Sequence, residues 1–489
     1  MKTITLNSKP LVLSRQNVFG LTLCATIIFA LSDLAFSVRT YHDIVMFVIL
    51  LLLFIYNIIR DIHENKIKLL KQVQQALHSA KWLYIALIIY YVYDLITMIY
   101  TKSYAHALKK LPYMLEYTTI FLAGIYYCTT KKRLFGVMIS IAATGTIVSI
   151  STYIYYFLSL KPIYFQRLST ARDYNVYACL IFVSFVFLTN LLIHYSRLSF
   201  KKRFILFTIF SMINIPTFYF AGSRRIFIML PYLFAFTVLY EGLRLIILKI
   251  NKKSSLSHTL SFFGICVIIY FSCVALLPTF SQYGATKEAS YKAHIAASIQ
   301  NEGVGNGNGE VDKSNSWYEK TIENIMETIG DKSMYSKRTL IYSVAFSELQ
   351  TYSPIEFIFG RGAAYDIHMY DVTQDANLLD AYSISEDNPR SFGWLSAHNF
   401  LLADILNGGI IKVVLGIFFV IQLIRHIIIL IKRNSRSGIM IIIPFALVLV
   451  NNFISGAYGM LNDVFFQIMM IILCSMLYLK RKEEINAEE

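Results

Sequence analysis

The stretch IVMFVILLLLFIYNII, Ile44–Ile59, decides what kind of molecule this chain builds. It carries no charge, and a helix through it is apolar on nearly every face. Such a helix must lie in a core or in lipid. Uncharged runs recur at Leu134–Ile150 and Ile439–Val450. About 20 apolar residues cross the hydrocarbon layer of a bilayer, and this chain has many such segments. Of its 489 residues 56% are hydrophobic and 15% charged, where a soluble domain carries about 25% charged residues. These facts disfavour a large soluble helical protein and predict an all-α integral membrane protein.

Working outward from Ile44–Ile59, the hydropathy predicts about twelve spans. They fall near 18–36, 43–60, 82–101, 111–130, 134–158, 176–196, 204–221, 225–248, 259–280, 408–431, 438–456 and 460–479. Lys2, Lys9 and Arg15 precede the first, in the manner of a signal peptide. That stretch is long for a cleaved segment and more spans follow, so it is expected to stay as the first helix. Basic residues crowd Arg60–Lys81, Lys131–Arg133, Arg197–Arg203, Lys249–Lys253, Lys432–Arg436 and Lys480–Lys482. Starting from a cytoplasmic N-terminus, all of these fall on the cytoplasmic side, as the positive-inside bias requires. Both termini are therefore expected inside, in a bacterial inner membrane. The same distribution accounts for the net charge of +15 without a nucleic-acid partner. The six cysteines all sit in apolar runs, with no metal-ligand spacing, and read as small buried hydrophobes.

Three regions follow: spans one to nine in 1–280, a long extracytoplasmic loop in 281–397, and the last three spans with a cytoplasmic tail in 398–489. The loop contains NEGVGNGNGE, Asn301–Glu310, a glycine-rich tip. Helical patterns flank it at Thr286–Ile299, Trp317–Ile329 and Arg338–Tyr352. The loop is expected to be a mostly helical cap resting on the membrane part, since its own core would be small.

The outer face should be poor in basic residues, yet it holds Lys102, Lys109, Lys110, Arg167, Arg172, Arg224, Arg225, Arg338, Arg361 and Arg390. For the three lysines, snorkelling to outer-leaflet phosphates is a sufficient reason. Arg224 and Arg225 occupy a tight turn between two apolar spans, at the start of the second. Charges held there face a polar cavity or a partner. A guanidinium grips phosphate through a planar fork and keeps its proton, and a helix N-terminus also favours an anion.

Four stretches, in this order, resemble the bacterial O-antigen ligase and O-antigen polymerase superfamily of membrane glycan transferases. They are RLSTARDYNVYA (Arg167–Ala178), AGSRR (Ala221–Arg225), KRTLIYSVAFSELQTYSPIEFIFGRG (Lys337–Gly362) and AHNFLLADILNGGII (Ala397–Ile411). The resemblance covers the chain from about Arg167 onward; the first five spans match in hydropathy alone. Arg361 inside the turn and Lys412 near span ten depart from the family pattern.

The resemblance implies a fold like that of the multi-span, lipid-dependent (GT-C-like) glycosyltransferases. It implies a glycan donor on undecaprenyl diphosphate, a glycan acceptor on another lipid carrier, and a chain-length regulator as a candidate partner. By resemblance Arg224 and Arg338 contact the diphosphate, with Arg225 and Arg172 as further candidates. A departing diphosphate needs charge stabilisation rather than protonation, and fixed cations supply it. His398 is the candidate base for the acceptor hydroxyl, because imidazole titrates near neutral pH. Asn399 is expected to orient groups or bind a sugar hydroxyl; its competing role is a helix N-cap. Direct attack should invert the anomeric carbon. No cofactor is implied. The chain has no Asp-x-Asp pair and no His and carboxylate cluster at ligand spacing, so no metal is expected. Glu348, Glu356, Asp366 and Asp387 are available to orient an arginine or bind sugar. Trp394, Tyr164 and Tyr365 are outer aromatics that either stack on sugar or sit in the interfacial belt. A ligase acting on a lipid A core shares the same motifs, and a flippase of lipid-linked oligosaccharides is the alternative of another class.

Overall fold

The computed structural model describes residues 14–36, 41–158, 174–194, 198–221, most of 264–276, 332–373, 397, 399–433, 444–449 and 464–488. Every regular element among them is a helix. In chain order these are α1 (Arg15–Phe36), α2 (Tyr41–Ser79), α3 (Lys81–Ile99), α4 (Tyr104–Tyr127), α5 (Lys131–Leu158), α6 (Tyr174–His194) and α7 (Phe200–Phe220). After them come α8 (Lys332–Gln350), α9 (Pro354–Phe359), α10 (Tyr365–Val372), α11 (Phe400–Arg433) and α12 (Val464–Glu488). Among the described residues six helices are long and apolar enough to cross a membrane: α1, α2, α3, α5, α11 and α12. The chain is a helical membrane protein. The expected span at 225–248, most of those at 259–280 and 438–456, and loop residues 281–331 and 374–396 lie outside the described residues.

The organising helix is α12. Its apolar stretch is almost wholly enclosed, with Ile468 through Leu473 completely buried. It packs against α1, α2, α4, α5 and α11, as expected of a helix that is apolar all round. By contrast α2 faces outward: Leu52, Ile55 and Ile59 are exposed, which suits lipid rather than water. To one side α5, α6 and α7 pack together around a small polar seam. There Asn214 on α7 donates to Thr146 on α5 at 3.1 Å, and Ser149 donates to the Asn214 Oδ1 at 3.0 Å. Hydrogen bonds of this kind join helices where lipid offers no hydrophobic drive.

Several helices differ from the hydropathy reading. α2 runs on through the expected basic loop to Ser79, with a kink at Asn65. α4 begins at Tyr104, before the expected 111, because the segment with Lys109 and Lys110 is helical too. α11 begins at Phe400 and is interrupted at Gly409. Hydropathy sees where lipid-compatible residues lie; it does not see where a helix continues past them.

Candidate functional site

The break in α11 is built from AHNFLLADILNGGII. Asn399 starts the helix: its Oδ1 accepts from the Leu401 and Leu402 N–H groups at 2.9 and 3.3 Å. This is the N-cap role. The helix then stops at Gly409, whose φ of 64 and ψ of −164 suit glycine alone. A side chain there would strike the Ile358 carbonyl. Breaking a helix at membrane depth frees carbonyls that lipid cannot satisfy, so protein must. The Leu406 carbonyl accepts from the Arg361 N–H at 3.1 Å and the Tyr352 hydroxyl at 3.0 Å. Asn407 O accepts from Gly362 N–H at 2.9 Å, and Gly408 O from the Tyr93 hydroxyl at 2.8 Å.

The segment that seals the break is SPIEFIFGRG. Ser353 and Glu356 form a reciprocal capping box with Pro354 at the first helical position, which nucleates the short α9. The chain then turns through Gly360 at φ 74 and Gly362 at φ 97. A Cβ at Gly360 would strike the Asn407–Gly408 backbone, and one at Gly362 the Thr101 backbone. The turn is thus wedged between α11 and the end of α3. Ala363 N–H donates to Thr97 O at 3.0 Å, and the Thr101 hydroxyl to Ala363 O at 2.7 Å.

Arg361 holds this wedge. Its Nε donates to Glu356 at 3.0 Å, Nη1 to Glu348 and to the Tyr365 hydroxyl at 2.8 Å, and Nη2 to Thr351 Oγ1 at 2.9 Å. The guanidinium also stacks over Tyr352, 4.2 Å from the ring centre. Glu348 and Glu356 therefore orient an arginine. Lys102 pairs with Glu356 at 2.6 Å. The Lys102 ammonium, the Ser353 N–H and Arg361 hold Glu356 well below the usual carboxylate range. Tyr365 is buried under this arginine and donates to Glu348 at 2.5 Å, so it is neither a sugar platform nor a belt residue.

Beneath the wedge lies a second, fully enclosed charge network. Lys412 pairs with Asp94 on α3 at 2.5 Å and with Asp404 at 3.3 Å. Lys110 on α4 approaches Asp94 at 3.4 Å. The Tyr90 hydroxyl donates to Asp404 at 2.5 Å. Lys110 thus turns into the bundle, which corrects the expectation that it snorkels outward: Asp94 offers a partner that headgroups need not replace. On α10, Asp366 and Asn407 exchange two hydrogen bonds, Asp366 N–H to Asn407 Oδ1 at 2.9 Å and Asn407 Nδ2 to Asp366 Oδ1 at 2.8 Å. The second carboxyl oxygen of Asp366 is buried without a hydrogen-bond partner. Burial pushes the Asp366 carboxyl up to about 6, against the pull of Lys110 and Asn407. Ionisable side chains at such depth mark functional sites by default.

At the N-terminal end of α4, His106 Nδ1 lies 2.6 Å from Ser103 Oγ, and His106 Nε2 lies 2.7 Å from Asp371 on α10. This bridge ties α10 to the α3–α4 turn.

Of the residues singled out from sequence, Arg172, Arg224, Arg225 and His398 lie outside the described residues, as do Arg167, Asp387, Arg390, Trp394 and Tyr164. Arg338 belongs to α8, and its side chain is outside them too. Asn399 is described, and it caps α11. Among the described residues no group of three His, Cys, Asp or Glu is placed to hold a metal. The sequence reading missed Asp94, Asp404 and Tyr90. Asp94 and Asp404 were visible as single carboxylates in apolar stretches, while nothing in the sequence marked Tyr90 or paired either carboxylate with Lys412. No protein-family model matches the chain, and no curated protein matches it either.

Proposed function

We propose that this chain is a membrane glycan transferase of the polymerase kind, with about twelve spans and a long outer loop. It would join lipid-linked repeat units into a surface polysaccharide on the outer face of a bacterial inner membrane. The observation that carries the reading is the meeting of two stretches that resemble the family separately. The FGRG turn and the HNFLLADILNGG segment lie 46 residues apart, counted from Arg361 to Asn407, and interlock by backbone hydrogen bonds around the break in α11. In this chain two of the stretches on which the resemblance rests form one joint, and that juxtaposition supports the reading. α8, which carries Arg338, is tied to the same joint: the Tyr370 hydroxyl on α10 donates to Ile341 O at 2.8 Å.

In the proposed reaction an acceptor sugar hydroxyl attacks the anomeric carbon of the donor glycan. The new C–O bond forms as the bond to the undecaprenyl diphosphate oxygen breaks. The hydroxyl proton passes to His398, and the negative charge gathering on the diphosphate is met by Arg224 and Arg338, with Arg225 and Arg172 as further cations. Asn399 holds the start of α11 directly after His398. The buried network below keeps the break rigid, so that its rim is preorganised.

The test uses purified chain in lipid nanodiscs with its lipid-linked repeat. A ladder of chain lengths is expected, and His398→Ala should abolish it while donor binding remains. Transfer of a single block to a core acceptor with no ladder would replace the polymerase by a ligase. Vectorial movement of the lipid-linked glycan without any new glycosidic bond would overturn transfer altogether in favour of a flippase.

A further inference from the structure

We infer that residues 66–79, the second half of α2, form an in-plane helix docked on anionic lipid headgroups where the second and third spans meet the membrane surface. This inference rests on the membrane fold and is independent of the glycan-transfer reading.

Length makes the first argument. α2 has 39 residues, about 58 Å of helix at 1.5 Å per residue, while the hydrocarbon layer is about 30 Å thick. About 20 residues counted from Ile44 reach a belt of charge. There Arg15 pairs with Asp61, Arg60 with Glu64, and the Tyr126 hydroxyl donates to Asp61 at 2.5 Å. Such a belt belongs at headgroup level. Immediately after it the helix breaks: Asn65 has φ −161 and ψ 71. Its Oδ1 accepts from the Lys68 N–H at 3.1 Å, so a second helix starts there with its own cap.

The other end fixes the direction. α3 is 19 residues long, Lys81–Ile99, and needs nearly all of them to cross. Lys81 and the half-exposed Trp82 must therefore already be at the surface. The chain leaves that surface at Asn65 and is back on it at Lys81. A segment projecting into water could not do this; one running along the surface can.

The faces of the segment match. One side turns to the bundle, where Gln72 Nε2 donates to Tyr126 O at 3.5 Å. Beside it Ile67, Leu70, Val73 and Leu77 form a stripe exposed by 69, 56, 47 and 47%. Lys66, Lys68 and Lys71 are exposed around the stripe. An apolar stripe flanked by lysines on a helix parallel to the bilayer is the arrangement that binds acidic headgroups while its stripe enters the acyl boundary.

The experiment places nitroxide labels on full-length chain in nanodiscs, with native cysteines replaced by alanine. Leu70→Cys and Leu77→Cys report on the stripe, Lys71→Cys and His78→Cys on the exposed polar flank about 100° around the helix. Oxygen should relax the first pair several-fold more than a water-soluble nickel chelate does, and the order should reverse for the second pair. On unlabelled chain with its cysteines intact, adding phosphatidylglycerol to phosphatidylcholine should raise the unfolding temperature. The variant K66Q/K68Q/K71Q should lose that rise. Labels at 70 and 77 as open to the chelate as those at 71 and 78 would show a segment standing in water and overturn the inference. Labels at 70 and 77 shielded from both reagents would show that protein covers the stripe, which also overturns it. So would a rise that is absent from the natural chain or retained in the triple variant.

Discussion

Two charge networks lie on either side of the FGRG turn, and they are built differently. The inner one uses lysines: Lys110, Lys412, Asp94 and Asp404 have side chains exposed by 8, 3, 2 and 1%. The outer one is centred on an arginine: Arg361 is 10% exposed, Glu348 and Glu356 about a quarter, and Lys102 half. The inner network joins the consecutive helices α3 and α4 to the distant α11, and Asp94 and Lys412 stand 318 positions apart. The outer one mostly ties neighbouring segments between Glu348 and Tyr365 to each other. Water can replace a lost partner in the outer network but not in the inner one. The inner network should therefore decide whether the bundle forms, and the outer one how firmly the wedge sits on the break.

Lys412→Met is the most direct way to break that contrast. It leaves Asp94 and Asp404 facing each other with only Lys110 near, and an uncompensated buried charge costs about 3–5 kcal/mol. A large drop in unfolding temperature and in yield of folded protein is expected in detergent. Adding Asp404→Asn should restore part of the loss, because it removes the orphaned carboxylate. A Lys412→Met chain as stable as the natural one would mean that water reaches the inner network, and the contrast would dissolve.

How much of this was legible beforehand depends on distance along the chain. Ile44–Ile59 announced a span because composition within one stretch suffices for that. Residues 60–79 were legible as basic but not as a helix, since the lysines interleave with Ile67, Leu70, Val73 and Leu77 and lower the mean hydropathy below that of a span. Gly408 and Gly409 were visible as letters, yet the positive φ of Gly409 follows from the close approach of Ile358, which no local pattern contains. Lys412 stood out as an anomaly, while its partner Asp94 could not be named from a single chain. Asn399 was read with both its roles in view, and the capping role is the one its hydrogen bonds show. The arginines expected to grip diphosphate were singled out by resemblance, and the side chains of Arg172, Arg224, Arg225 and Arg338 lie outside the described residues.

Asp366 sharpens the comparison by standing between the networks. Burial raises its carboxyl from 3.8 to about 6. Below the lower value both folded and unfolded chains hold the proton, and no stability is lost. Between 3.8 and about 6 the unfolded chain ionises while the folded one keeps its proton, so the folded state is progressively disfavoured until both are ionised. The full loss above that pH is about 3 kcal/mol, from roughly two units at 1.36 kcal/mol each. Asp366→Asn keeps a donor and an acceptor for Asn407 and cannot ionise. Its unfolding temperature, measured from pH 4 to 8, should lack the decline between 4 and 6 that the natural chain shows. Parallel curves for the two proteins would mean that Asp366 does not titrate in this window.

The outer network should respond more mildly. Arg361→Lys keeps the charge but loses the fork that reaches Glu348, Glu356 and Thr351 together, and the stacking on Tyr352. A loss of about 1–3 kcal/mol is expected, read as faster amide exchange at Gly360–Ala363 with the rest of the bundle unchanged. Exchange that speeds up throughout α3 and α11 as well would show that the two networks act as one.

The smallest effect separates structure from chemistry at Asn399. As an N-cap it satisfies the Leu401 and Leu402 N–H groups, and Asn399→Ala should cost about 1 kcal/mol of stability. Serine caps nearly as well, so Asn399→Ser should be almost neutral in unfolding temperature. The two variants therefore split what one cannot. If the side chain only caps, transfer activity should follow stability, impaired in the alanine variant and nearly normal in the serine one. If the amide also held a sugar hydroxyl, the serine variant would keep its stability and lose activity, because its short hydroxyl cannot reach where the amide did. The capping geometry, with the side-chain oxygen already committed to two backbone donors, leaves only the amide nitrogen for substrate, and so favours the first outcome.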